Sequence, residues 1–109
     1  MLRVRVPSSA HNLSFFYMFY VYILKSLKSG RYYKGQTNDL KARINRHNKG
    51  LEKFTSKELP WELFYFVTTD TRSEAMKLEK KLKNLKSTKR LEIWVENKIA
   101  KGSGSRKVE

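Results

Sequence analysis

The sequence predicts an α+β domain, a three-stranded and mainly antiparallel sheet flanked by helices in the order β-β-α-β-α-α. Three observations carry this. Two short aromatic and β-branched runs flank the turn Lys28-Ser29-Gly30. A third unbroken apolar run, WELFYFVT, follows Pro60. Segments with a period near 3.6 lie between and after these runs.

The first strand is read as residues 19–25. Alternation puts Tyr20, Tyr22 and Leu24 on one face and Phe19, Val21 and Ile23 on the other. Both faces are apolar or aromatic, which predicts a central strand covered on both sides. Gly30 supplies positive φ in the turn. The second strand is residues 31–34, ended by Gly35. Thr37 or Asn38 caps the first helix, with Asp39 in its first turn to complement the dipole. That helix runs to about Lys49, and Gly50 serves as C′. Leu40, Ile44 and His47 define its inward face, and Arg43 lies one turn before His47.

Residues 51–60 read as a basic loop. Residues 61–68 are the third strand. A second helix, capped by Ser73, carries the stripe Ala75, Leu78, Leu82, Leu85, with Glu79 beside it. Ser87 or Thr88 starts a last helix through Ile99, with Leu91, Val95 and Ile99 inward. The domain organisation follows: residues 1–17 form a flexible N-terminal extension, 18–100 the folded domain, and 101–109 (KGSGSRKVE) a disordered Gly/Ser-rich tail.

Composition bounds the function. The 109 residues suit one domain with a modest core. Lys and Arg outnumber Asp and Glu 24 to 10, a formal charge of +14, which favours a polyanionic partner, above all nucleic acid. The chain has no cysteine, which excludes disulfides, thiolate catalysis and zinc–thiolate sites. A reducing, cytoplasmic compartment is permitted. His11 and His47 make no metal-ligand spacing. The apolar run over residues 13–24 lacks a small-residue cleavage site and is too short to span a bilayer, so it reads as strand rather than signal or membrane segment.

Several chemistries are excluded by their missing motifs. There is no GxGxxG and no P-loop. No serine or cysteine nucleophile pattern occurs. The scattered acids cannot build a two-metal nuclease site. What remains is tyrosines on adjacent strands, an arginine and a histidine on one helix, and one carboxylate on another. This set is chemically sufficient to cleave a phosphodiester. Tyrosine or histidine can move protons, arginine can grip phosphate, and one carboxylate can hold Mg²⁺ among waters.

The runs VYILKS, YYKGQTNDLKARINRHN and SEAMKLEKKLK together resemble the GIY-YIG endonuclease family, nearest the small single-domain bacterial members similar to the nuclease part of excinuclease C. The resemblance covers Phe19 to Ile99. It implies a DNA endonuclease that uses one divalent ion, Mg²⁺ or Mn²⁺, without a small-molecule cofactor or membrane partner. Duplex or branched DNA is the implied substrate, and repair or recombination the implied setting. Carried over, Tyr22 is the general base for the attacking water, Tyr33 orients water or phosphate, and Arg43 clamps the transition-state phosphate. His47 assists proton transfer or positioning, Glu79 holds the metal, and Gly35 closes the second motif. Lys34, Arg46, Lys49, Lys53 and Lys57 are candidate nucleic-acid contacts. The first motif reads Tyr20-Val21-Tyr22, without its glycine, and the second Tyr33-Lys34-Gly35.

Each residue also has an ordinary reading. The tyrosines could fill a core with hydroxyls at its rim. His47 could be a packed structural histidine, and Glu79 could only pair with Lys83. The different-class alternative is a catalytically silent nucleic-acid-binding module of the same fold. A small RNA-binding protein is a further one, though no RNP-type or KH-type motif occurs. Hydrolysis requires the phenols, the guanidinium and the acid to face one phosphate-sized pocket.

Overall fold

The computed structural model describes residues 18–106. The proposed extension 1–17 and the last residues 107–109 lie outside the described residues. The elements are β1 (Phe19–Ser26), β2 (Tyr32–Thr37), α1 (Leu40–Asn48), β3 (Trp61–Thr69), α2 (Arg72–Lys83) and α3 (Thr88–Ala100). The sheet order is β2-β1-β3, and both pairings are antiparallel.

β1 is central because its sequence can be buried on both faces. Tyr20, Tyr22 and Leu24 pack with Leu40 of α1, Trp61 and the half-buried Tyr33 and Ile44. Val21 and Ile23 pack with Phe64, Tyr65, Ala75, Leu82, Leu91 and Val95, which places α2 and α3 on the opposite face. A register shift opposite Ile23 and Leu24 inserts one extra residue into β3, between Leu63 and Tyr65.

Three local expectations are corrected. β2 does not end at Gly35 but continues to Thr37, with Gly35 opposite Tyr22 in the ladder. The glycine serves close approach rather than a turn: a Cβ built there would lie 2.6 Å from the Tyr22 hydroxyl. Asp39 is the N-cap of α1, accepting from the Ala42 amide, and is not a first-turn residue. The N-cap of α2 is Thr71, not Ser73. Its hydroxyl accepts from the Glu74 amide while Glu74 reaches back to the cap, a reciprocal pairing that Ser73 could not make.

The tail is a fourth correction. Residues 101–106 are ordered on the outer edge of β3. Phe66 and Ser105 exchange both backbone hydrogen bonds, at 2.7 and 2.8 Å. The Tyr65 hydroxyl donates to Ser103 O, and Arg106 Nε donates to Phe64 O, each at 3.1 Å. An edge strand offers unpaired backbone groups, and these outweigh the entropy of a short Gly/Ser segment. Gly104 makes the return possible: its φ is +83°, and a Cβ would lie 2.5 Å from the Tyr65 ring.

Gly35→Ala is expected to lower stability by about 1–3 kcal/mol, because the Tyr22 ring has no room to withdraw. Urea unfolding checks this, and an unchanged midpoint would show that the ring can yield.

Candidate active site

The site is built around the Tyr22 phenol. β1 delivers Tyr22 onto the α1 face of the sheet, where it has no exposure. α1 delivers His47 from its last turn, also buried, with Nε2 3.0 Å from the Tyr22 hydroxyl. His47 Nδ1 lies 2.8 Å from Thr55 Oγ1, and that hydroxyl donates to Glu52 O at 3.4 Å. Every atom is satisfied in one arrangement. Thr55 donates to the carbonyl and so accepts from Nδ1–H. Nε2 is then the bare acceptor of the Tyr22 proton.

The loop that carries Thr55 is fixed at both ends. Trp61 Nε1 donates to Thr55 O at 2.9 Å. Asn48 accepts from the Trp61 amide at 2.7 Å and donates to its carbonyl at 2.9 Å. Residues 51–60 are therefore structural support for His47 as well as a basic surface.

Charge enters from α1 and this loop. Arg43 is half-buried and acts on the Tyr22 phenol through both its charge and hydrogen bonding. Glu52 Oε2 is 2.8 Å from Arg46 Nε and 3.9 Å from Arg43 Nε. Burial pushes the Tyr22 phenol well above its usual range, and neighbouring Tyr33 adds to this, while Arg43 opposes it. Burial likewise raises Tyr33. Burial lowers His47, and the Glu52 charge only partly offsets that, so the imidazole is neutral near pH 7. The hydrogen bond from Arg46 holds the Glu52 carboxyl below its usual range.

Glu79 comes from the other side of the sheet. Its Oε1 accepts from Gln36 Nε2 at 2.7 Å and its Oε2 pairs with Lys83 Nζ at 2.9 Å. Gln36 stands opposite Val21, on the α2 face of edge strand β2. Tyr33 links the two groups. Its ring packs 4.9 Å from the His47 ring, and its phenol is sensitive to Lys83 and Glu79 as well as to Glu52 and Arg43.

Tyr22, Tyr33, Arg43 and His47 are thus brought together on the α1 face, whereas Glu79 stands beside Gln36 on the α2 face of edge strand β2. The requirement of an open pocket is not met at Tyr22 and His47, which are fully buried. Among the surface cations, Lys49, Lys53 and Lys57 are exposed around the end of α1 and its following loop, and Arg46 is engaged by Glu52. Lys34 stands apart. It lies opposite Ile23 on the α2 face, where Nζ donates to Leu85 O at 3.5 Å and burial lowers its pKa.

Sequence reasoning missed Glu52, Thr55 and Gln36. Period-two alternation from Tyr33 could have placed Gln36 beside α2. Glu52 and Thr55 lie in an irregular loop, where no periodicity points to a partner.

The lowered His47 pKa has a sign that can be tested. The unfolded imidazole takes its proton near 6.5 and the folded one only at lower pH. Stability is therefore fully present above pH 6.5 and falls as pH drops toward the folded value. Glu52 adds a similar loss, but only below its unfolded value of 4.5. Urea midpoints between about pH 7 and 5 are expected to decline in the wild type, and His47→Gln should flatten that slope. An equal slope in both proteins would refute the neutral, buried imidazole.

The family described as the GIY-YIG catalytic domain matches residues 18–92. A UPF0213 protein of Staphylococcus saprophyticus is 39% identical over 75 residues, covering 68% of this chain and 90% of the relative. The UPF0213 protein YazA of Bacillus subtilis is 36% identical over 80 residues, covering 72% and 79%. The solution structure of a UPF0213 protein from Bacillus halodurans is 35% identical, covers 74% of this chain and 85% of its own, and superposes with a TM-score of 0.49. With its family match spanning both strands of the tyrosine pair, α1 and α2, the chain belongs to the GIY-YIG family.

Proposed function

We propose that this chain is a metal-dependent endonuclease that hydrolyses phosphodiester bonds in DNA. The observation that carries the reading is the Tyr22 hydroxyl held 3.0 Å from the bare Nε2 of a neutral histidine, with Arg43 acting on the same phenol. A structural tyrosine needs a hydrogen-bond partner. It needs neither a buried imidazole oriented by a hydroxyl nor a guanidinium at its oxygen.

The chemistry follows from those contacts. Once substrate binding opens its buried position to water, Tyr22 takes a proton from the attacking water while its own proton passes to His47 Nε2. The water oxygen forms the new bond to phosphorus, the bond to the leaving oxygen breaks, and that oxygen takes its proton from solvent. Thr55, accepting from Nδ1–H, keeps Nε2 aimed at the phenol, and the nearby Glu52 charge favours the imidazolium. Arg43 stabilises charge developing on the phosphoryl oxygens. Tyr33, between the two charged groups, orients the phosphate.

The family implies a divalent ion, and the residues fit one. Glu79 is an oxygen donor whose half-buried carboxylate already faces a cation, the Lys83 ammonium at 2.9 Å. Among the described residues there is no cluster of three or more acidic, histidine or cysteine side chains, so waters and substrate oxygens would complete the shell. When bound, Mg²⁺ or Mn²⁺ supplies charge neutralisation at the phosphate and leaving oxygen. A role in DNA repair or recombination, in the cytoplasm, is part of the same proposal.

The second reading, a silent binding module, is favoured by the full burial of Tyr22 and His47 and by the pairing of Glu79 with Lys83. Nicking of supercoiled plasmid and branched DNA with Mg²⁺ or Mn²⁺ separates the two. Tyr22→Phe is expected to lower the rate by about 10²–10⁴-fold. Arg43→Ala should lower it by about 10²–10³-fold. Glu79→Gln should abolish the metal response while DNA binding persists. Binding without cleavage by the wild type on every substrate would favour the module.

Surface charge gives a separate prediction. Replacing Lys49, Lys53 and Lys57 together by Gln should weaken duplex binding and flatten its salt dependence by about 0.9 in log–log slope for each phosphate no longer neutralised. An unchanged slope would place the DNA track elsewhere.

A further inference from the structure

Arg43, which acts on the Tyr22 phenol, and Arg46, one turn further along α1, are already met by an anion from the chain itself. Arg43 and Arg46 lie three residues apart on α1, on neighbouring positions of its surface. The Glu52 carboxylate sits against both, at 3.9 and 2.8 Å from their Nε atoms. Glu52 also stands three residues before Thr55, the hydroxyl that meets His47 Nδ1, and its own carbonyl accepts from that hydroxyl, so it lies beside the site. A carboxylate and a phosphate present similar oxygens to a guanidinium.

We propose that Glu52 is an internal stand-in for the substrate phosphate. Its carboxylate occupies the anion seat made by Arg43 and Arg46, and an incoming phosphodiester displaces it. The identity of that anion rests on the nuclease reading above.

Three features make the exchange feasible. The side chains are partly open, at 38% for Arg43, 52% for Arg46 and 28% for Glu52, so water can take over the carboxylate as it leaves. The Glu52 main chain has a separate task. Its carbonyl accepts from the Thr55 amide and hydroxyl, so the side chain can turn away without undoing the support of His47. Exposed Lys49, Lys53 and Lys57 around the same helix end and loop draw in a polyanion. A single small anion gains only the seat, whereas a nucleic acid also gains these lysines. Glu52 thereby discriminates against free phosphate and nucleotides.

The test titrates inorganic phosphate into the wild type and Glu52→Gln at one low ionic strength, following the Nε–H signals of Arg43 and Arg46 by NMR. Glu52→Gln is expected to bind phosphate about 5- to 10-fold more tightly, a difference on the scale of one exposed ion pair. Glu52→Ala should behave alike, which covers the case of a glutamine that bonds the arginines itself. Adding Arg46→Ala should remove the gain. Glu96→Gln, an equal change of net charge on exposed α3, should give none. Equal or weaker phosphate binding by both Glu52 variants overturns the proposal. So does a gain that survives Arg46→Ala or appears equally in Glu96→Gln. Turnover is not required, so failure of the nuclease reading and failure of this one are told apart.

Discussion

The hydrogen bond between the Tyr22 hydroxyl and His47 Nε2 is the constraint on which the rest depends. Both groups are buried, and neither can be left unpaired without a penalty of about 1–3 kcal/mol. Satisfying them dictates the neighbourhood. His47 must present its bare nitrogen inward, so Thr55 must take the other ring proton. Thr55 must then be held in place, which accounts for the Trp61 and Asn48 contacts that fix the loop. The absence of a side chain at position 35 belongs to the same chain of requirements, since the Tyr22 phenol fills that space. A single buried polar pair thus explains a strand glycine, a loop conformation and a helix face.

The burial that fixes this geometry also works against reactivity. Desolvation raises both phenols and lowers the imidazole. In isolation those shifts would make Tyr22 a poor proton acceptor from water, because the phenolate is disfavoured. The pairing with a neutral histidine changes the problem. Tyr22 need never carry a full negative charge if its proton leaves for Nε2 as the water proton arrives. Arg43, acting on the same oxygen, opposes what remains of the penalty. A buried tyrosine is therefore compatible with base chemistry only as part of such a relay.

Much of the fold was legible because its signals are local. β1 is apolar on both faces, and it lies in the centre with helices on either side. The helical stripes at Ala75 and Leu82, and at Leu91 and Val95, are buried as their spacing implies. Errors arose where a long-range partner decides. Gly35 reads as a terminator until Tyr22 is seen opposite it. The tail reads as disordered until the open edge of β3 is seen beside it. At the site, residues on regular elements were singled out by pattern and resemblance. Glu52, Thr55 and Gln36 were not, because their roles depend on which loop and which sheet edge fold against the helices.

The charge distribution shows why that loop matters. A surplus of 14 positive charges favours anion binding nearly everywhere on so small a chain. On the proposed nuclease reading, non-selective attraction is of little use to a site that must hold one phosphate in one orientation. Placing one of only 10 acids against Arg43 and Arg46 removes the free attraction at that single place and leaves it on the surrounding lysines. Long-range steering and local capture are then carried by different residues. The carboxylate also keeps two neighbouring guanidiniums on one helix face from repelling each other in the free protein. Under the proposed exchange, the same ion pair serves the stability of α1 in the free protein and the selectivity of the site when a phosphodiester displaces the carboxylate.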